Sequence, residues 1–321
     1  MPEVRIYKRH LFLKSRFYRT ITLLQFKVLK IVRDFLYERG FIELQSPIIA
    51  PTSDPGLRMG SMAETSFYGE KAVFVSSAIL YKFAGLQISD KVFYVAPNIR
   101  VEPVDFKDFG RTLAEFRQID LEVAHADRRE IMELSEIMLV KLFETIKKDA
   151  KEELEYLGRD LRVPHRPFKV IKFEEAVEIA KEAGYGVEVS GELSKEAETY
   201  ITKIHEEPVW IIDYPEHVRG FYYKEKGDGT LFDMDLIYPE GYGEAASGGQ
   251  RETDPIKVRE RMLKTGVDPR KYLWFFELLY DGVPECSGIG FGLERLIRYI
   301  SGVDSIIDAV LFPRAPGYLG I

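Results

Sequence analysis

The chain has 321 residues, 45% of them hydrophobic, and a net charge of −7. That length supports a full core in one large domain or two small ones, and the acidic balance excludes a broad basic surface for nucleic acid while leaving room for a local patch. The single cysteine, Cys286, excludes an intramolecular disulfide and fits a reducing interior; no apolar run is long enough to span a membrane, and the N-terminus is too charged for a secretory leader, so a cytoplasmic protein is expected. Asn98 is the only asparagine against abundant Glu and Lys, a thermophile pattern that speaks to habitat rather than to function.

In chain order, "TITLLQFKVLKIVRDFLYERGF" places Leu24, Val28, Ile31, Val32 and Phe35 at helical spacing and stops at Gly40. "FIELQSPIIAP" reads as a strand ending in prolines, and "TSDPGLRMGSM" (52–62) as a mobile loop. A short strand "KAVFVSS" and a helix from "AILYKFAGL" follow. "DKVFYVAPNIRVEP" and "TLAEFRQIDLEVAH" are strands joined by the turn "VDFKDFGR", which predicts an antiparallel hairpin. Residues 129–157 predict one long amphipathic helix, 172–183 and "SKEAETYITKIHEE" two more. "PVWIIDYP", "GFYYKEK" and "TLFDMDLIYP" predict strands, "DPIKVRERMLKTG" a helix, and "SGIGFGLERLIRYISG" a glycine-flexed strand running into a helix. There is no linker, repeat or low-complexity tract. The fold class is α+β: a mainly antiparallel sheet flanked by helices, in a single domain over 1–321.

Charge is clustered inside four otherwise apolar segments: Arg100 and Glu102 in "PNIRVEP"; Glu115, Arg117 and Asp120 around Phe116 in "AEFRQID"; Glu244 and Arg251 in "GEAASGGQRE"; Glu294 and Arg295 in "GFGLERL". Taken singly, each is as well read as a solvated sheet face, and "GEAASGGQRE" as a surface turn with a salt bridge. Together they suit phosphoryl or adenylyl chemistry. An arginine fixed on a strand meets an α-phosphate, one at a helix start holds a γ-phosphate, a carboxylate holds Mg²⁺, and an aromatic stacks on adenine. Neither a P-loop nor a dinucleotide-binding fingerprint is present, and "GIGFG" alone is weak. The five histidines lack metal-ligand spacing.

The order of these segments resembles the catalytic domain of class II aminoacyl-tRNA synthetases of the aspartate/asparagine subgroup. "FLYERGFIELQSPII" resembles motif 1 (about 28–51) with Pro47 at the dimer interface, "NIRVEP…GRTLAEFRQIDLEV" motif 2 (about 91–124), and "GIGFGLERLIRYISG" motif 3 (about 287–302). The resemblance implies ATP and Mg²⁺ as cofactors and a homodimer through motif 1. Arg100 would contact the α-phosphate and Glu102 the adenine region, Phe116 would stack on adenine, and Arg295 would hold the γ-phosphate, with Arg100 and Arg295 the catalytic pair. Arg111 joins the ATP-binding set, with Glu244 and Ser247 on Mg²⁺. Arg251 would take a carboxylate of aspartate, and Asp120 and Asp54 its ammonium, with Ser77 and Lys82 completing the amino-acid pocket.

Some positions depart from the synthetase pattern. Ile79 stands where aspartate enzymes carry a glutamine, Thr112 where a histidine is common, and Glu285 and Cys286 where proline-histidine is usual. About ten residues precede the likeness, too few for an anticodon-reading OB-fold. "ILYK", "PNIR", "GYGEAASGG" and "FPRAPG" look like the archaeal asparagine synthetases related to asparaginyl-tRNA synthetase, which implies activation of aspartate followed by transfer to ammonia. In that reaction the β-carboxylate must approach the α-phosphate, so aspartate would sit reversed. The alternatives are a free-standing ligase acylating tRNA or another acceptor, disfavoured by the acidic charge, and a non-catalytic nucleotide or amino-acid sensor, disfavoured by the retained Glu244. Cys286 is expected to be packing rather than a nucleophile.

Overall fold

The structure, a computed structural model, describes residues 2–54, 61–102, 110–187 and 191–320. Residues 55–60 of the loop at 52–62, and 103–109, the last residue of "PNIRVEP" with most of the following turn, lie outside them. A short helix α1 (Pro2–Tyr7) precedes α2 (Arg16–Tyr37), which Ser15 caps by accepting from the Tyr18 N–H; Leu24, Val28, Val32 and Phe35 bury its apolar stripe. The predicted strand after Gly40 is instead two fragments, β1 (Ile42–Glu43) and β2 (Ile49–Ala50), in different sheets. Pro47 lies between them and has no N–H to give a ladder. β2 joins β3 (Glu64–Phe67) and β4 (Glu70–Phe74) in a three-stranded sheet, followed by α3 (Ile79–Gly85).

β5 (Lys91–Ile99) and β6 (Glu115–Ala124) form the predicted antiparallel hairpin, with Tyr94 opposite Asp120. The long helix breaks into α4 (Arg128–Asp149), opened by the Asp127/Glu130 capping box, and α5 (Lys151–Leu157), because Ala150 leaves helical geometry at φ −124°. Then come β7 (Lys169–Lys172), α6 (Phe173–Glu182), α7 (Lys195–Ile204), β8 (Val209–Ile212), β9 (Asp233–Tyr238) and β10 (Gly243–Gln250). "GFYYKEK" forms only isolated bridges, from Tyr223 to Arg251 and Glu225 to Leu231. The chain closes with α8 (Pro255–Lys264), the unanticipated α9 (Leu273–Gly282), β11 (Cys286–Gly292), α10 (Leu293–Ser301), β12 (Arg314–Ala315) and β13 (Tyr318–Leu319).

The main sheet runs β1-β5-β6-β11-β10-β9-β8-β7, antiparallel except at its two outer pairs. Alternation sorts its two faces. Phe93, Ile119, Leu121, Met234, Leu236, Ile289 and Phe291 point to one side, where α2, α4 and α10 cover them with Val28, Leu139, Phe143 and Leu296. The intervening residues of β6, β9, β10 and β11 are mostly polar or small: Gln118, Asp120, Glu122, Asp235, Ser247, Gly288 and Gly290 among them. They face the other side, where the cavity opens. "GEAASGGQRE" is therefore a central strand of the sheet and not a surface turn.

Candidate active site

All twelve residues given a ligand-binding role from sequence line one cavity of about 530 Å³: Asp54, Ser77, Lys82, Arg100, Glu102, Arg111, Phe116, Asp120, Glu244, Ser247, Arg251 and Arg295; of the other clustered charges Glu294 lines it too, whereas Glu115 and Arg117 do not. Its deep end is built on β6. Gln118, Asp120 and Glu122 alternate onto one face, and each lies opposite a glycine of β11: Gly292, Gly290 and Gly288 respectively. A Cβ on Gly288 would overlap the Glu122 carboxylate and the Leu121 main-chain oxygen, and one on Gly290 would stand 2.5 Å from Asp120 Oδ1. Gly288 and Gly290 are thus the room that Glu122, Asp120 and Gln118 need to lie across the neighbouring strand, whereas a Cβ on Gly292 would make only ordinary contact with Arg295.

Glu122, absent from the sequence-based list, organises this end. It is fully buried and accepts from Arg251 Nε at 2.9 Å and Nη2 at 3.1 Å, with Lys82 Nζ at 3.3 Å. Lys82 is also 3.3 Å from Asp120 Oδ1. Burial opposes the Glu122 charge, but Arg251 and Lys82 outweigh it and hold its carboxyl below the ordinary range. For Asp120 burial wins over Lys82 and Arg251, so its carboxyl is pushed up. Arg251 Nη1 and Asp120 Oδ2 are buried without a hydrogen-bond partner. An unmatched donor and an unmatched acceptor at one end of a cavity are costly unless a ligand supplies both. Asp54 accepts from the Tyr222 hydroxyl at 3.0 Å above them.

The opposite end collects arginines and carboxylates. Arg100 lies just past β5 with its Nε donating to the Ser76 carbonyl and its guanidinium 5.0 Å from the Phe116 ring. Arg295, at the start of α10, is 3.0 Å from Glu244 Oε1. Its neighbour Glu294 is buried and accepts the Arg117 N–H with both oxygens; burial pushes it up to about 7, against the pull of that N–H. Ser247 is paired across the sheet with Asp235, and a bulge between Glu244 and Ala246 re-aims the start of β10. Asp235 in turn takes an ion pair from buried Arg219. Among the described residues no three His, Cys, Asp or Glu converge as a metal cage. Mg²⁺ does not require one: it draws on water and phosphate oxygens with one or two carboxylates, and Glu244 and Asp235 on adjacent strands, with the Ser247 hydroxyl, are a fitting donor set.

Cys286 is buried, and burial followed by the Glu122 charge pushes its thiol well up. Of the residues missed from sequence, Gln118 and Glu122 were signalled by period-two alternation from Asp120. Arg219 and Asp235 carried no local signal, because their pairing joins a connecting segment to a strand.

A family model described as tRNA synthetases class II (D, K and N) matches residues 1–316. The chain is 30% identical over 312 residues to an asparagine–tRNA ligase of Thermoplasma acidophilum, covering 95% of this chain and 71% of that protein. It is 32% identical over 327 residues to one of Thermococcus gammatolerans, covering 99% and 74%. Among solved structures, the asparaginyl-tRNA synthetase of Pyrococcus horikoshii complexed with asparaginyl-adenylate superposes with a TM-score of 0.93 at 30% identity, covering 100% of this chain and 74% of that one.

Proposed function

The chain belongs to the class II (D, K and N) tRNA synthetases, and from that premise we propose that it activates aspartate with ATP and transfers the aspartyl group to ammonia. The observation that carries the amino-acid half is the unmatched pair at the deep end, Arg251 Nη1 and Asp120 Oδ2. An α-amino acid head group supplies a carboxylate to the first and an ammonium to the second. Aspartate then sits with its β-carboxylate toward Arg100, where it attacks the α-phosphorus of ATP in line and pyrophosphate leaves. Arg100 neutralises charge on the α-phosphate, Phe116 stacks on adenine beside Glu102, and Arg295 and Arg111 hold the phosphate tail. Glu244 and Ser247 would hold Mg²⁺, which would supply charge neutralisation on the phosphates. Ammonia then attacks the acyl carbon; AMP departs, a proton is lost, and asparagine remains.

In this reading residues 1–321 act as one catalytic unit containing all three motifs, and a second copy docks on the motif 1 face, supported by exposed Tyr37, Ile42 and Ile48. A second reading keeps the activation step and makes tRNA the acceptor; the relatives' names favour it. The test is to incubate the purified protein with ATP, Mg²⁺, aspartate and ammonium, with and without tRNA, following AMP, pyrophosphate and free asparagine. Asparagine formed without tRNA supports the amide-forming ligase. Aspartate-dependent pyrophosphate exchange without asparagine transfers the proposal to tRNA, and no exchange with any amino acid removes both.

A further inference from the structure

Helix α7 lies outside the three motifs, yet it reaches the phosphate end of the cavity. Ser194 caps it by accepting from the Ala197 N–H, and Ala197 and Ile201 bury its inner side. That leaves Glu198 and Thr199 facing the start of β10. Glu198 Oε1 accepts from Arg111 Nη2 at 2.5 Å and also from the Glu244 N–H, while Thr199 Oγ1 accepts from Arg111 Nη1 at 3.2 Å. Gly243 allows this: at φ +77° it occupies the left-handed region, and a Cβ there would overlap the Arg111 guanidinium. One carboxylate therefore ties together a cation from the second motif and the main chain of the residue whose side chain meets Arg295.

We infer that Glu198 is a positioning residue for the triphosphate: it fixes Arg111 and the start of β10 so that Arg111, Glu244 and Arg295 meet the β- and γ-phosphates in one arrangement. This rests on the ATP-dependent reading above. Arginine anchored by a carboxylate on one edge keeps its other N–H groups for a phosphate, and the rotamers it would otherwise sample are removed before ATP arrives. Glu198 keeps part of its side chain exposed, while Ala197, Ile201 and Thr202 form the buried side of α7, so Glu198→Ala leaves those packed residues in place.

The test is direct binding of ATP and of AMP, each with Mg²⁺, to the parent, Glu198→Ala, Glu198→Gln, Arg111→Ala and the Glu198→Ala/Arg111→Ala double variant, alongside kcat and KM in aspartate-dependent pyrophosphate exchange. Glu198→Ala is expected to weaken ATP about tenfold, leave AMP within twofold, and raise the KM for ATP with kcat nearly unchanged. Glu198→Gln, which retains an acceptor oxygen, recovers part of the loss. In the Arg111→Ala background, Glu198→Ala costs at most about half as much, since the two act through one contact. Equal weakening of ATP and AMP, or full additivity with Arg111→Ala, overturns the inference. A parent that binds AMP and ATP but does not exchange pyrophosphate overturns the proposed reaction and leaves the binding comparison decisive for Glu198; a parent that binds neither nucleotide overturns both.

Discussion

Two neighbouring glycines of β11 make opposite predictions from the same substitution. At Gly288 an alanine Cβ would overlap the Leu121 carbonyl oxygen, a main-chain atom in the middle of a paired sheet, and the Glu122 carboxylate, which is fixed by Arg251 and Lys82. Neither obstacle can swing away, so β11 and β6 must part. Overpacking of this kind costs about 3 kcal/mol, which at an m-value of about 3 kcal/mol/M lowers the urea midpoint by about 1 M. At Gly290 the Cβ would meet only Asp120 Oδ1 at 2.5 Å and Gln118 Nε2 at 3.1 Å, both side-chain ends. The fold accommodates it, but Asp120 is turned from its place. On the proposed reading, loss of a charge-assisted hydrogen bond from Asp120 to the substrate ammonium would cost about 1.5–3 kcal/mol, so the KM for aspartate in pyrophosphate exchange should rise roughly 10- to 150-fold with ATP affinity unchanged. Urea unfolding of both variants with amino-acid and ATP titrations separates these outcomes. Parental stability for Gly288→Ala, or an unaltered aspartate KM for Gly290→Ala, refutes the account of the glycine spacing.

Three more predictions concern buried ionisable groups. Arg251→Met leaves Glu122 with Lys82 alone and costs about 3–5 kcal/mol in urea unfolding; adding Glu122→Leu leaves the Lys82–Asp120 pair charge-balanced, so stability largely returns while aspartate activation does not. Glu294 has its carboxyl raised to about 7 from the ordinary 4.5, so the proton it binds on folding stabilises the protein fully below pH 4.5, and that stability, about 3 kcal/mol, is lost as pH rises through 7; Glu294→Gln, which can still accept from Arg117, should flatten the urea-midpoint profile between pH 4.5 and 7.5. Asp233, also raised to about 7 by burial, contributes with the same sign and remains. Cys286, buried and held protonated, should resist alkylation at pH 7.5 in the folded protein and react on denaturation, and Cys286→Ala should keep at least half the parental turnover.

What the sequence disclosed was whatever is local. Helical spacing located α2, α4, α8 and α10, and alternation with a polar turn located the β5–β6 hairpin. On β6 the charges Glu115, Arg117 and Asp120 do not share a face with one another throughout; the strand puts Gln118, Asp120 and Glu122 on one face, where Gln118 and Asp120 line the cavity and Glu122 is buried against Arg251 and Lys82, so strict alternation would have exchanged Arg117 for Glu122. The break at Ala150 has no proline or glycine to announce it, and the split of the strand after Gly40 follows from which sheet each half joins. The Arg111–Glu198 contact spans 87 positions and depends on Gly243 being empty. No periodicity in a single chain encodes that.

On the proposed reading, the charge balance of the deep end bears on which way aspartate would face. Lys82 and Arg251 carry two positive charges, Asp120 and Glu122 two negative ones when ionised, and all four are nearly fully buried. In that reading a neutral zwitterionic head group would add no net charge to this set: its carboxylate would meet Arg251 Nη1 and its ammonium Asp120 Oδ2, the two buried atoms without a partner, and the ammonium would favour ionisation of Asp120 against the effect of its burial. A β-carboxylate buried there instead would bring one extra negative charge into a low-dielectric site whose cations already have counter-ions. On the proposed reading, therefore, the head group goes in first and the β-carboxylate stays at the phosphate end beside Arg100. Aspartate blocked as its β-methyl ester should still bind and protect against heat unfolding, yet give no pyrophosphate exchange, whereas the α-methyl ester should bind at least tenfold more weakly. Exchange supported by the β-ester would show that the α-carboxylate is the one activated, and Arg251 would then hold the side chain.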